Sequence, residues 1–457
     1  MKSPLECIEL TEDFVPIRLS VTKCVDLLIE MYNFVTVLPE NKLLYYHDGI
    51  YTEGGEELTQ KFLDHQFGQM TNIKGKEILN RHVMSEIMAK LKARTYVEQY
   101  KQLSPVRVPT FDSDLNIINM CNGLYNWRTE EFSAHTPSYK SRIQIPVMYD
   151  PNADCPTLRE IIHDVFDAQD REKFYEVLAY VLYRAYPIQK SIIFFGPAGT
   201  GKSQMLDLIQ NFVGFWNTTS VTIQDLGGRR PDPYATAKLY QKLVNLAGDL
   251  DCTTVPEVGK FKMLTSGSDL IPARMIYGRP FEFSNFAKLI MSANELPEVN
   301  DRSDGFYRRL EIFKFNNKFT SADSNKFERL RALSDSYELS GLFNEVIPRL
   351  PELLERRAFK HSMTIDEVKR LYHKASNPLE SFLLDCVEDA DGEYISKQRF
   401  YELYVEYCKR HNLAYIQNEI AFGLALKKYW ADRRAARRMY EGKQKQCWTN
   451  VRVKLNF

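Results

Sequence analysis

No stretch of this sequence approaches the roughly 20 consecutive apolar residues that a membrane-spanning helix requires. The first residues, Met1-Lys-Ser-Pro-Leu-Glu, carry no apolar core of the signal-peptide kind. The eight cysteines (Cys7, Cys24, Cys121, Cys155, Cys252, Cys386, Cys408, Cys447) form no CxxC pair, and no histidine cluster with zinc spacing accompanies them. A zinc site is therefore not expected, and a reducing compartment is. The expected location is the cytoplasm, or the intracellular site where a virus or plasmid replicates, with no membrane contact. Internal repeats and low-complexity tracts are also missing. With 44% apolar residues the chain can build real cores, which excludes wholesale disorder.

An overall charge of one sign is lacking too: Lys+Arg and Asp+Glu both number 60. The balance is uneven along the chain. From 427 to 454, ten Lys/Arg face only Asp432 and Glu441. Such a basic end suits a polyanionic partner such as nucleic acid, and equally a solvated basic face.

At 457 residues there is room for about three domains of ~150 residues each. Residues 43–51 read as a hairpin with Asp48-Gly49 at the turn, 77–91 has helical spacing, and 117–127 reads as strand, turn, strand. The Asp150-Pro151 and Cys155-Pro156 steps mark a first boundary, because proline disfavours helix before it. A helical stretch over 158–186 follows. From 191 to about 316 strands alternate with helices, which predicts a parallel sheet with helices on its faces. Residues 320–372 read as helical and charged. Asn377-Pro378 opens a last unit, with helices near 379–388, 397–411 and 417–430 and a terminal strand pair. That order suggests a winged-helix-type module.

The feature with the most chemistry is GPAGTGKS at 196–203, placed between the apolar run 191–195 and the helical pattern 204–212. Gly196, Pro197, Ala198, Gly199, Thr200, Gly201, Lys202 and Ser203 match every fixed position of a phosphate-binding P-loop. Glycines let backbone N–H groups curl around phosphate oxygens, and the helix N-terminus adds partial positive charge. Lys202 would reach the β- and γ-phosphates of ATP, and the Ser203 hydroxyl would hold Mg²⁺.

Later strands supply further parts. The run 242–249 is an apolar strand ending in Asp249, with Asp251 two residues on. A carboxylate at the end of a strand neighbouring the P-loop strand can complete the Mg²⁺ shell and orient water. The run 287–294 ends in Asn294, which could sense the γ-phosphate, although Asn ends many strands for turn reasons. Arg308 and Arg309 precede a further strand, where an arginine could reach the phosphates of a neighbouring subunit; the bland alternative is a surface pair. Residues 262–283 read as a helix and then a β-hairpin, with Tyr277, Gly278 and Arg279 at the tip and Arg274 on its first strand. An aromatic and a cation on such a tip suit the backbone of a single strand.

Taken together these elements resemble helicase superfamily 3 within the AAA+ ATPases. The nearest likeness is to the primase–helicase group of phages, plasmids and large DNA viruses, including the poxvirus primase–helicase. The residues carrying it are GPAGTGKS (196–203), LVNLAGDLD (243–251), KMLTSGSDLIPARMIYGRPFEF (262–283), LIMSANELP (289–297) and DGFYRRLEIFKF (304–315). Upstream, INMCNGLYNW and HTPSYKSRIQIPVMYDPNADCP (135–156) resemble the domain that precedes the ATPase in this group. The resemblance implies an α/β AAA+ P-loop core with an α+β N-terminal domain and a winged-helix-like C-terminal module. Its bounds would be 1–155, a helical collar 156–190, the core 191–318, a helical segment 319–372 and the basic DNA-binding module 373–457. It further implies a homo-oligomeric ring, a hexamer, that hydrolyses ATP with Mg²⁺ between subunits and moves along single-stranded or forked DNA, with a separate primase or polymerase as a partner. Lys202 and Ser203 would take the Walker A roles, Asp249 and Asp251 the Walker B roles, Asn294 the sensor role, Arg308 or Arg309 the arginine finger, and Arg279 with Tyr277 the channel hairpin.

The sequence departs from the group in having Asp, not Glu, at both acidic positions. The pairs Asp112-Ser-Asp114 and Ser133-Ala-His135 mimic primase metal-binding elements, but too little chain precedes them for that catalytic core. Three readings stay open: a replicative helicase, an ATP-regulated origin-binding initiator (or a primase–helicase with weak primase activity), and a protein-remodelling ATPase.

Overall fold

The computed structural model describes residues 3–37, 41–98, 100–103, 106–248, 250, 253–301, 303–319, 329, 331–411, 418–430 and 435–454; of residues 100–103, 106–109 and 428 it describes the backbone only. Two compact units result, one of residues 1–151 with 274–281 and one of residues 152–273 with 282–457.

The first unit is α+β. Its elements run β1 (Ile8–Leu10), β2 (Pro16–Leu19), α1 (Val21–Tyr32), β3 (Val35–Val37), β4 (Lys42–His47), β5 (Ile50–Thr52), α2 (Gly55–Phe67), α3 (Arg81–Arg94), β6 (Tyr96–Val97), β7 (Tyr100–Leu103), β8 (Val106–Pro109), β9 (Ile117–Met120), β10 (Gly123–Asn126) and β11 (Glu131–Ser133). The strands make sheets of order β5-β4-β3-β6 and β11-β10-β9, with two separate ribbons. The β4–β5 turn falls on Asp48 and Gly49, whose φ of 45° and 89° are what a tight hairpin of this twist needs. The helix expected over 77–91 starts at Arg81, because the Asn80 side chain accepts from the backbone N–H groups of His82 and Val83. Val25, Leu28, Leu63, Phe67, Ile87 and Leu91 pack the faces of α1, α2 and α3 into one core.

In the second unit the stretch expected as one helix is two, α4 (Pro156–Val165) and α5 (Ala168–Val181). Phe166 is extended between them, and Asp167 caps α5 by accepting from the N–H groups of Gln169 and Asp170. Then follow β12 (Ser191–Phe195), α6 (Lys202–Val213), β13 (Thr218–Thr219), α7 (Ile223–Gly227), β14 (Val244–Ala247), α8 (Gly259–Leu264), β15 (Leu270–Arg274), β16 (Pro280–Ser284), β17 (Lys288–Ala293), α9 (Asp304–Tyr307) and β18 (Leu310–Lys314). β15 and β16 pair as a hairpin. The other five strands form one parallel sheet of order β13-β14-β17-β12-β18. Every residue of β12, β14 and β17 is buried, as expected of strands covered on both faces. The strand that runs toward Asp249, β14, is not the neighbour of the P-loop strand β12: β17 lies between them.

Beyond the sheet come helices Ser336–Val346, Leu350–Arg356, Ile365–Ser376, Pro378–Cys386, Lys397–Arg410 and Glu419–Tyr429. β19 (Val387–Ser396) follows the fourth of these helices and β20 (Ala435–Tyr440) and β21 (Lys443–Val453) follow the last, and the three strands make an antiparallel sheet of order β19-β21-β20. β19 was not expected. Its sequence, VEDADGEYIS, carries four acids and has no apolar alternation; pairing with β21 makes it a strand. Among the described residues no helix is long and apolar enough to cross a membrane.

Candidate functional site

The P-loop leaves the carboxyl end of β12 and returns into α6. At Gly196 a Cβ would stand 2.2 Å from the Phe315 carbonyl oxygen, so only glycine fits. Gly201, with φ of 90°, turns the chain into the helix from the left-handed region. The Thr200 hydroxyl ties the loop across itself by donating to the Pro197 carbonyl at 2.8 Å.

Lys202 is 6% exposed, and its ammonium donates to the carbonyls of Gly196 and Pro197, each at 2.7 Å, and to Asn294 Oδ1 at 2.9 Å. The structure thus brings Lys202 and Asn294 together, although 92 residues separate them in sequence. The reason is the sheet order: β17, which ends one residue before Asn294, lies beside β12, and the Gly196 N–H donates to the Ala293 carbonyl. Ser203 is exposed in the first turn of α6. Glu295 follows Asn294, and burial pushes its carboxyl up from the ordinary range. Asp249 and Asp251 lie outside the described residues; the neighbouring Leu250 N–H donates to Ser292 O on β17. Two flanking segments that sequence reasoning missed also reach this loop. The Phe319 N–H donates to the Gly199 carbonyl at 3.0 Å, and Phe319 and Val165 side chains lie against Gly201. Nothing in their local pattern could have shown this, because 165 and 319 meet the loop only through the fold.

The two arginines stand elsewhere. They precede β18, which runs parallel to β12, and the Ser191 N–H donates to the Arg309 carbonyl at 2.6 Å. They therefore sit at the amino end of the sheet, a strand length of roughly 15 Å from the same chain's P-loop. The pair is also unequal. Arg309 is 8% exposed, its Nη1 donates to the Gly305 carbonyl, and burial together with Arg308 lowers its pKa. Arg308 is exposed, and its side chain has no hydrogen bond or ion pair among the described residues.

The turn that carries them is braced by α8. The Lys262 ammonium pairs with Asp301 Oδ2 and approaches Ser303 Oγ at 3.2 Å. Phe261 and Phe306 rings lie 5.5 Å apart. Burial alone would raise the Asp301 carboxyl, but Lys262 and Ser303 together hold it down at about 2. α8 leads into the β15–β16 hairpin. There Tyr277 is fully exposed with φ of 61°, the Gly278 N–H closes the turn on Met275 O, and Arg274 and Arg279 are both exposed.

The primase-like residues serve turns of the first unit. Asp112 accepts from Ser141 Oγ at 2.5 Å and from the Arg142 N–H at 2.9 Å; Asp114 accepts from the Asn116 N–H; His135 Nε2 lies within hydrogen-bond reach of Asn119 and the Met120 carbonyl. In the C-terminal sheet, Arg452 and Lys454 pair with Glu388 and Glu393 of β19, and Lys445 pairs with Glu441. Arg437, Arg438 and Lys443 on the β20–β21 hairpin are exposed without an ion pair among the described residues.

Comparison with known proteins adds the family. Residues 25–167 match the family described as D5 N terminal like, and residues 194–309 match the family of unknown function DUF5906. A protein bearing a helicase name, 121R of Invertebrate iridescent virus 3, is 23% identical over 232 residues, 46% of this chain and 24% of its own length. A second, L207/L206 of Acanthamoeba polyphaga mimivirus, is 26% identical over 140 residues, 27% of this chain and 13% of its own length. These matches support a viral primase–helicase family. It spans a quarter or less of the length of these two relatives. Two structures of the apo C-terminal region of NrS-1 align with 93% of this chain and 97% and 98% of theirs, at 13% and 12% identity and TM-scores of 0.45 and 0.47. The second of the two family matches, residues 194–309, runs from the end of β12 to the paired arginines.

Proposed function

We propose that this chain is an ATP-dependent DNA helicase of a mobile genetic element, with a superfamily 3 AAA+ core working in a six-membered ring. One observation carries the reading. Lys202 and Asn294 meet at one end of the parallel sheet, whereas the exposed Arg308 stands at the other end, where only a neighbour's phosphates are within its reach. Lys202 would release its carbonyl partners to meet β- and γ-phosphate oxygens. Asn294, already on Lys202, would orient the γ-phosphate. Ser203 fits a magnesium ligand, since it is an exposed residue in the first turn of α6; Mg²⁺ carried in with ATP would neutralise charge developing on the phosphates. Asp249 or Asp251 would orient the attacking water. Arg308 of the adjacent chain would stabilise the transition state, with Arg309 holding its turn.

Movement on DNA would fall to the hairpin bearing Tyr277, Arg274 and Arg279. The C-terminal order of helix, strand, two helices and two strands supports a winged-helix reading, and the exposed Arg437, Arg438 and Lys443, without an ion pair among the described residues, support duplex contact there. That last observation favours a second reading, an origin-binding initiator whose ATP drives only assembly. DNA-stimulated ATP hydrolysis measured against protein concentration tests the first: turnover should rise with assembly and with added single strand. Removal of residues 377–457 separates the two, since a helicase keeps unwinding forked DNA without them. Full turnover by a monomer indifferent to DNA would refute the proposal.

A further inference from the structure

Five phenylalanines surround β12 and β18 in one interlocked cluster. Phe166 lies 4.8 Å from Phe174, 5.6 Å from Phe313 and 5.1 Å from Phe315, and Phe194 lies 5.0 Å from Phe315. Phe319, four residues beyond Phe315, is left out. It is partly exposed and has no ring partner among the described residues. Its position is nevertheless held. Its N–H is bonded to Gly199 O, and its Cε2 would stand 3.1 Å from a Cβ at Gly201, beside Val165 Cγ2 at 3.2 Å. On the far side, the Asn317 amide donates to the Asp164 carbonyl at the end of α4, which fastens the segment to that helix.

The consequence follows from the shape of a nucleoside triphosphate. If residues 196–203 take the phosphates, as proposed above and on which this inference rests, the base must leave the loop along one of its walls. Phe319, with the buried Val165 beside it, presents an apolar, partly exposed side chain on the Gly201 side. A partly exposed phenyl ring there gains when a flat ring covers its remaining surface. We infer that Phe319 is the base-stacking residue of the nucleotide site, with the buried Val165 fixing its position. The ligand class is a purine nucleoside triphosphate, whose two fused rings cover more of the phenyl face than a pyrimidine does. Neither side chain can read a base edge by hydrogen bonding, so recognition here rests on ring area.

Equilibrium binding of ATP and of inorganic tripolyphosphate to the full chain tests this. Tripolyphosphate has the phosphates without the base. Phe319→Ala should weaken ATP binding about tenfold, the scale of one stacked base, and leave tripolyphosphate binding unchanged, while Phe319→Trp should keep ATP binding near wild type. Unchanged ATP affinity in Phe319→Ala overturns the inference, and so does an equal loss of both ligands, which would mark a structural role. If the wild-type chain binds neither ligand, the phosphate-loop reading itself falls, and that outcome is distinct from the other two.

Discussion

The two ends of the five-stranded sheet are built from the same strands and prepared in opposite ways. At the carboxyl end the polar groups are already in contact: Lys202 is buried and held by two carbonyls and Asn294. At the amino end one arginine is tied down and the other extends into solvent. A buried ammonium held by loop carbonyls is kept at the loop, where it can exchange those carbonyls for phosphate oxygens. An exposed guanidinium costs side-chain entropy to fix, and it is fixed only when something docks on it. One end holds its cation within the chain, and the other leaves its cation exposed.

The largest effect should come from the carboxyl end. Lys202→Ala is expected to reduce ATP hydrolysis to background while the chain stays folded, measured by phosphate release and circular dichroism; normal unwinding by this variant would break the assignment. Next, Arg308→Ala should lower turnover by about 10³-fold or more, the range for an arginine finger, with ATP affinity kept. Mixing this variant with Lys202→Ala chains should restore part of the activity, because each supplies the half-site that the other has lost. No recovery on mixing, in rings shown to exchange chains, would mean that the two ends do not meet across a seam.

Arg309→Ala probes the asymmetry within the arginine pair. It removes a buried donor from the Gly305 carbonyl and should cost about 1–3 kcal/mol of stability in urea unfolding, with a smaller loss of turnover than Arg308→Ala. The reverse ranking would exchange their roles. The smallest effect concerns the brace from α8. Asp301 is held at about 2, below its ordinary value of 3.8, so its ion pair stabilises the fold above pH 4 and that contribution fades as pH falls from about 4 toward 2. Asp301→Asn should therefore lose on the order of 2 kcal/mol at pH 7, and its gap from wild type should narrow in acid; a gap constant down to pH 3 would remove the ion pair as its cause.

Much of this was legible in the chain. The run 191–195, the glycines of 196–203 and the pattern after them predicted strand, loop and helix in the right order, because phosphate-binding loops need glycine at set positions and a buried strand needs unbroken apolar residues. The Asp48-Gly49 hairpin was legible for a similar local reason. Less legible were the break at Phe166–Asp167, where a cap and an aromatic cluster override helical spacing, and β19, whose acids hide a strand formed by pairing with β21. The burial of Arg309 against the exposure of Arg308 could not be read from two identical residues in a row.

Sequence by itself determined which residues could hold phosphate, because that requirement is local: backbone shape, one ammonium and one hydroxyl within eight positions. Tertiary structure alone decided which distant groups share that site. By inserting β17 between β14 and β12 it set Asn294 on Lys202, and by running β18 parallel to β12 it sent Arg308 to the opposite end. Strand order and direction are settled by packing among segments far apart in the chain, and no single segment carries that information.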